Sequence, residues 1–112
     1  MIHTILANGG AAGGKQYLSE AGCRKALEQQ IEGTDLILGI PVRYGLGFGL
    51  SGPMLPALNE HSMFWGGYGG SIALIDMQAH TTVSYAMNRM EGTTTGDMRA
   101  ISLAMQAMPG LA

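Results

Sequence analysis

The sequence predicts an α+β fold in which an antiparallel sheet of about three strands carries helices. Ser71 to Asp76 and Thr81 to Met87 read as strands joined across Met77 to His80, the spacing of a hairpin. The segments after Ser19 and after Asp97 repeat apolar residues every third or fourth position, as amphipathic helices do. Between these signals lies Phe64-Trp-Gly-Gly-Tyr-Gly-Gly-Ser71. Four glycines beside a single Trp let another group approach the backbone closely, because no Cβ stands in the way.

Met1 to Asn8 reads as the last turns of a helix stopped by Gly9 and Gly10, and a helix that starts uncapped at the first residue suggests a segment of something longer. Ser19 is an N-cap, and Glu20 suits the positive end of the helix it opens. Cys23, Leu27 and Ile31 with Ala26 predict its buried stripe, and Gly33 its end. Arg43 to Leu50 reads as one glycine-laced strand, with Tyr44, Leu46, Phe48 and Leu50 on one face. Ser51 to Met63, with Pro53, Pro56 and Asn59, reads as a loop. In the second hairpin strand Val83, Tyr85 and Met87 share a face, opposite the small Thr82, Ser84 and Ala86. Asp97 to Met108 reads as a helix with Met98, Ile101, Met105 and Met108 on its stripe and Pro109-Gly110 as its stop.

Composition narrows the functional classes. A chain of 112 residues and 11.7 kDa holds one small domain. A net charge of −2 argues against nucleic-acid binding, which needs a clustered basic surface. Only 12% of residues are charged, and Glu60 is the sole formal charge between Tyr44 and Ile75. So apolar a surface predicts a cover, either a complementary N-terminal segment of a larger fold or further copies in a homo-oligomer. No apolar run approaches the ~20 residues that span a bilayer. Cys23 has no partner for an internal disulfide, and the compartment stays open.

Most motif matches fail on inspection. Gly47-Phe-Gly-Leu-Ser-Gly52 has the letters of a dinucleotide fingerprint, but Pro53 and Pro56 stand where its helix would open. No serine sits in a Gly-x-Ser-x-Gly elbow. His3, His61 and His80 lack metal-ligand spacing and read as surface or loop residues, so no metal and no cofactor is expected. Cys23 lies on an apolar stripe, where an inert buried thiol is the expectation. Trp65 is the strongest candidate; alone it would read as a packed aromatic, but Gly66 and Gly67 make it the wall of a ligand pocket.

Tyr44-Gly-Leu-Gly-Phe48, then Trp65-Gly-Gly-Tyr-Gly-Gly-Ser71, then Tyr85-Ala-Met-Asn-Arg-Met90 resemble, in order, the C-terminal part of the serine β-lactamase-like hydrolases. That superfamily includes class C β-lactamases, penicillin-binding proteins and family VIII carboxylesterases. Leu6-Ala-Asn-Gly-Gly10 with Tyr17-Leu-Ser19 is similar to the helix–loop–helix that precedes the first of these strands. The likeness covers approximately Met1 to Met108, and it implies that the chain is the C-terminal edge of a β-lactamase-like α/β domain.

By that resemblance Trp65, Gly66 and Gly67 occupy the substrate-facing third motif, where true β-lactamases carry Lys-Thr-Gly. The backbone N–H of Tyr68 is then one of two oxyanion-hole donors, and Trp in place of Lys tilts the substrate toward neutral esters. The family also needs a Ser-x-x-Lys nucleophile. None of Ser19, Ser51, Ser62, Ser71, Ser84 or Ser102 has Lys three positions on, so nucleophile and general base are expected on other polypeptide. The alternative expectation is a non-catalytic self-assembling or binding module that kept the sheet.

Overall fold

A computed structural model describes residues 2–52, 55 and 58–107. Met1, Pro53, Pro56, Met108 and the Pro109-Gly110 stop lie outside the described residues. The elements run α1 (Ile2–Ala7), β1 (Ala11–Ala12), β2 (Lys15–Gln16), α2 (Glu20–Lys25), β3 (Ile31–Thr34), β4 (Pro41–Tyr44), β5 (Gly49–Leu50), β6 (Ser62–Gly66), β7 (Ile72–Asp76), β8 (Thr81–Tyr85) and α3 (Met98–Ala107). β1 and β2 form a small hairpin, while β3 to β8 form one antiparallel sheet of six strands in sequence order. The sheet is thus twice as wide as the three strands expected, because β3, β6 and the split of one expected strand into two add to it.

The helix ends follow their sequence signals. Gly10 N–H donates to the Ile5 carbonyl (2.7 Å) and Gly9 N–H to Leu6 (3.2 Å), with both glycines at positive φ, so α1 closes in a Schellman motif. Ser19 Oγ accepts the Gly22 N–H at 3.0 Å, the N-cap of α2.

Four further expectations need correction. The α2 helix stops at Lys25 rather than near Gly33, and Ile31 is an exposed residue of β3 paired with Tyr44. The fourfold spacing loses there to sheet pairing: Gln30 N–H donates to the Tyr44 carbonyl at 2.8 Å, and Gly45 lies against the Ala26 carbonyl with no room for a Cβ. Arg43 to Leu50 is not one strand but two, joined by a turn in which Gly45 N–H meets the Phe48 carbonyl (2.9 Å) and Gly47 takes φ +81°. Leu46 consequently stands exposed at the tip while Leu50 is buried. In α3 the buried residues are Ala100 and Ala104, and Met98 (68% exposed) and Met105 face away. Small side chains let this helix sit close to the sheet, which a methionine stripe would prevent. Of the segment expected as loop, Ser62 and Met63 begin β6.

The core lies on both faces of the sheet. Phe64, Ile72 and Leu74 pack with Leu58 and with Ala100 and Ala104 of α3. Met63, Ile75, Leu50 and Met77 pack with Ala7 of α1 and Cys23 of α2. Register explains the division: Phe64 pairs with Leu74 and Met63 with Ile75, and neighbours along a strand point to opposite faces. The hairpin of β7 and β8 joins across Met77 to His80 as expected. Among the described residues no helix is long and apolar enough to cross a membrane, and no cluster of His, Cys, Asp and Glu is placed to hold a metal ion.

Candidate functional site

β6 delivers Trp65 to the end of the sheet, paired with Ala73, and the chain then turns through Gly67 to Ser71. Gly67 N–H donates to the Ser71 carbonyl at 2.9 Å, and Gly70 N–H reaches the Gly67 carbonyl at 3.5 Å. Gly69 and Gly70 adopt φ of +100° and +124°, a conformation that side-chain-bearing residues rarely take. The glycines do admit a close neighbour, but at Gly66, Gly69 and Gly70 that neighbour is the chain itself. A Cβ on Gly66 would lie 2.5 Å from the Thr95 carbonyl carbon, and one on Gly70 would strike the Asp97 carboxylate. Gly69 N–H donates to the Thr93 carbonyl (2.8 Å), Glu91 N–H to Gly69 (2.9 Å) and Gly96 N–H to Gly67 (3.3 Å).

With its rear held by residues 89 to 99, the turn presents Tyr68 outward. Tyr68 is 64% exposed. Among the described residues its backbone N–H meets no acceptor. An oxyanion donor must be in place before charge develops, so a main-chain N–H without an internal acceptor is a candidate for that role.

Trp65 is 41% exposed and borders two clefts. One, of about 360 Å³, is lined by Asp35, Tyr44, Gly45, Gly47, Phe48 and Trp65. The other, also about 360 Å³, lies between Trp65, Gly66, Gly67, Ser71 and His3 of α1. The Tyr44 ring meets the Trp65 indole edge-on at 5.6 Å. Its hydroxyl donates to Asp35 Oδ2 at 2.7 Å, while Asp35 Oδ1 accepts the N–H groups of Ile37 and Leu38. Burial, and then the hydrogen bond and charge of Asp35, push the Tyr44 phenol up to about 12. The Tyr44 hydroxyl, with help from those two N–H groups, holds Asp35 below the usual carboxylate range. The lining of this first cleft holds no cationic side chain.

The weaker candidates go where their sequence contexts pointed. Cys23 is buried, and burial and the nearby Glu20 carboxylate push its thiol up, away from the reactive thiolate. His80 lies in the β7–β8 connection with Nδ1 3.0 Å from the Ala7 carbonyl. The fingerprint-like glycines from Gly47 lead into strand β5, not a helix. Tyr17-Leu-Ser19 does have the Tyr-x-Ser spacing of the family's base motif, which the expectation of no base passed over. Its Ser19 oxygen caps α2, and Tyr17 lines neither cleft beside Trp65.

Sequence reasoning missed Asp35, Tyr44 as a cleft residue, and the pair Asp97 and Arg99. Asp97 carried a signal, an Asp directly before a helical pattern, whose Oδ1 accepts the Arg99 N–H at 2.9 Å. Besides its local pairing with Asp97, Arg99 bonds carbonyls 10 and 30 residues away, which nothing in its flanking sequence marked.

No protein-family model matches the sequence, and no curated protein matches it. Solved structures do. The chain is similar to a family VIII carboxylesterase, with TM-score 0.87 and 30% identity over 97% of this chain and 30% of that one. It is similar as well to a novel penicillin-binding protein homologue from Caulobacter crescentus, with TM-score 0.88 and 27% identity over 97% of this chain and 30% of that one. The chain therefore spans about 30% of the length of each of these proteins, both of them β-lactamase-like serine hydrolases.

Proposed function

Since this chain is a segment of the β-lactamase-like serine hydrolase fold, we propose that it forms the C-terminal portion of an esterase that cleaves neutral esters through an acyl-enzyme. The observation that carries the reading is the Tyr68 N–H, three residues beyond Trp65, which meets no acceptor among the described residues. When a serine oxygen adds to an ester carbonyl, the carbonyl oxygen gains negative charge, and this N–H meets it. One such donor lowers the barrier by about 2.7–4 kcal/mol in comparable sites. The C–O bond to the alcohol then breaks, and water releases the acyl group by the same two steps.

Nucleophile and base come from a complementary segment, because no Ser-x-x-Lys occurs in the 112 residues. Trp65, Gly66 and Gly67 form the substrate wall on this side. Neutral substrates suit it: Trp65 stands where a cation would bind a carboxylate, and the ionised group of the neighbouring cleft is Asp35.

A second reading has its own support. The β3–β4 hairpin carries Leu36 (97% exposed) and Ile37 into solvent, beside an exposed Ile31 on the sheet edge, as a self-assembling or binding module would. Native and denatured masses of protein purified from its source separate the two. Release or attachment of a polypeptide carrying Ser-x-x-Lys supports the esterase. A clean multiple of 11.7 kDa supports the module and contradicts the esterase.

A further inference from the structure

We propose that Asp97 and Arg99 are positioning residues that hold the Gly67–Gly70 turn so that the Tyr68 N–H stays turned toward substrate. Arg99 Nη1 donates to the Arg89 carbonyl at 2.8 Å and Nη2 to the Gly69 carbonyl at 3.2 Å. One side chain thus ties the turn to the strand exit after β8. Its Nε and Nη2 also donate to Asp97 Oδ2, at 3.0 and 2.6 Å, which fixes the guanidinium plane. Asp97 is in turn seated as the first-turn acceptor of α3, and its side chain is 8% exposed. The pair fills the space that any Cβ on Gly70 would need, so the glycine and the clamp fit only each other.

A turn with two glycines at positive φ has many conformations open to it when free, and a donor that wanders stabilises a transition state poorly. The peptide hydrogen bonds Gly69 to Thr93, Glu91 to Gly69 and Gly96 to Gly67 close the rest of the seat. Lysine in place of Arg99 would reach one carbonyl at a time and could not hold the Asp97 carboxylate in a fork.

The catalytic consequence rests on the esterase reading, but the clamp itself does not, and the test separates them. Amide exchange is measured on the isotope-labelled 112-residue chain. Arg99→Ala is expected to speed exchange at Gly69, Glu91 and Gly96 about tenfold or more, with Leu74 and Ile75 of β7 unchanged. Arg99→Lys should restore part of that protection. Unchanged rates at the three amides, or equal acceleration throughout the sheet, overturn the proposal. Asp97→Asn gives the same readout should Arg99→Ala fail to fold. In the nucleophile-bearing protein Arg99→Ala should lower kcat roughly 10- to 100-fold with KM within about twofold. A looser turn with kcat unchanged would overturn the positioning role. A wild type without hydrolysis would sink the esterase reading and leave the clamp to be decided by exchange.

Discussion

Two segments of this chain look alike in sequence and differ in what their glycines do. Tyr44 to Leu50 and Trp65 to Ser71 each interleave glycine with aromatic or large apolar residues. In the first, Gly45 and Gly49 are pressed by the Ala26 carbonyl and the Phe64 ring, while Gly47 turns the chain through a left-handed φ over open space. That segment is a tight hairpin whose glycines serve packing. In the second, the pressure on Gly66, Gly69 and Gly70 comes from one stretch, residues 87 to 99. Trp65 and Tyr68 stay partly exposed beside it.

The two segments meet in the Tyr44–Trp65 ring contact, and the first also packs on Phe64, which leads into the second. Phe64 is buried, and a Cβ on Gly49 would lie 2.7 Å from it. Phe64→Ala should cost about 3–5 kcal/mol in urea unfolding, the largest effect expected. In that background Gly49→Ala should lose most of its own cost, because the ring it would strike is gone. Additive costs would mean that Gly49 does not owe its constraint to the Phe64 ring.

Gly66→Ala should come next, at about 3 kcal/mol, since the Thr95 and Gly96 backbone cannot retreat as a flexible side chain can. Gly47→Ala meets nothing within 4 Å and should cost only the strain of its φ, about 1 kcal/mol. Equal costs at the two positions would erase the contrast between the segments.

Trp65→Ala should be mild for stability, about 1 kcal/mol, because the indole is partly exposed. Its effect should appear instead in the relative kcat/KM of a series of neutral esters, measured in the nucleophile-bearing protein. Unchanged ratios would remove Trp65 from the pocket. The smallest effect concerns Tyr44, followed by phenolate absorbance. Its raised pKa means that the native state holds the proton more tightly than the unfolded chain, whose phenol titrates near about 10. The associated stability is full below pH 10 and declines as pH rises toward about 12. Asp35→Asn should bring the midpoint down, since the carboxylate both accepts the hydroxyl and repels the phenolate.

Much of this was legible in the residues. The α1 stop, the Ser19 cap and the β7–β8 hairpin are local signals, set by glycine φ, a hydroxyl acceptor and alternation. Trp65 stood out by the glycines that follow it, and Tyr68 entered only through the resemblance of its motif. What escaped depends on distant partners. The edge strand β3 forms because Tyr44 and its neighbours pair with it, although its own spacing continues a helix. The α3 stripe was misread because close approach to the sheet selects Ala100 and Ala104 over larger methionines. The proposed role of Arg99 was invisible for the same reason: it depends on carbonyls of Gly69 and Arg89 as well as on the nearby Asp97.

The central claim is that a main-chain N–H, not the Tyr68 side chain, serves the reaction. Tyr68 follows Gly67 at the first free corner of the turn, a position where proline is well tolerated. Ester hydrolysis by the nucleophile-bearing protein should survive Tyr68→Ala within a few-fold but fall about 10²–10³-fold in kcat for Tyr68→Pro, which removes only the donor hydrogen from an intact turn. Full activity in Tyr68→Pro, with its fold unchanged by circular dichroism, would contradict the account.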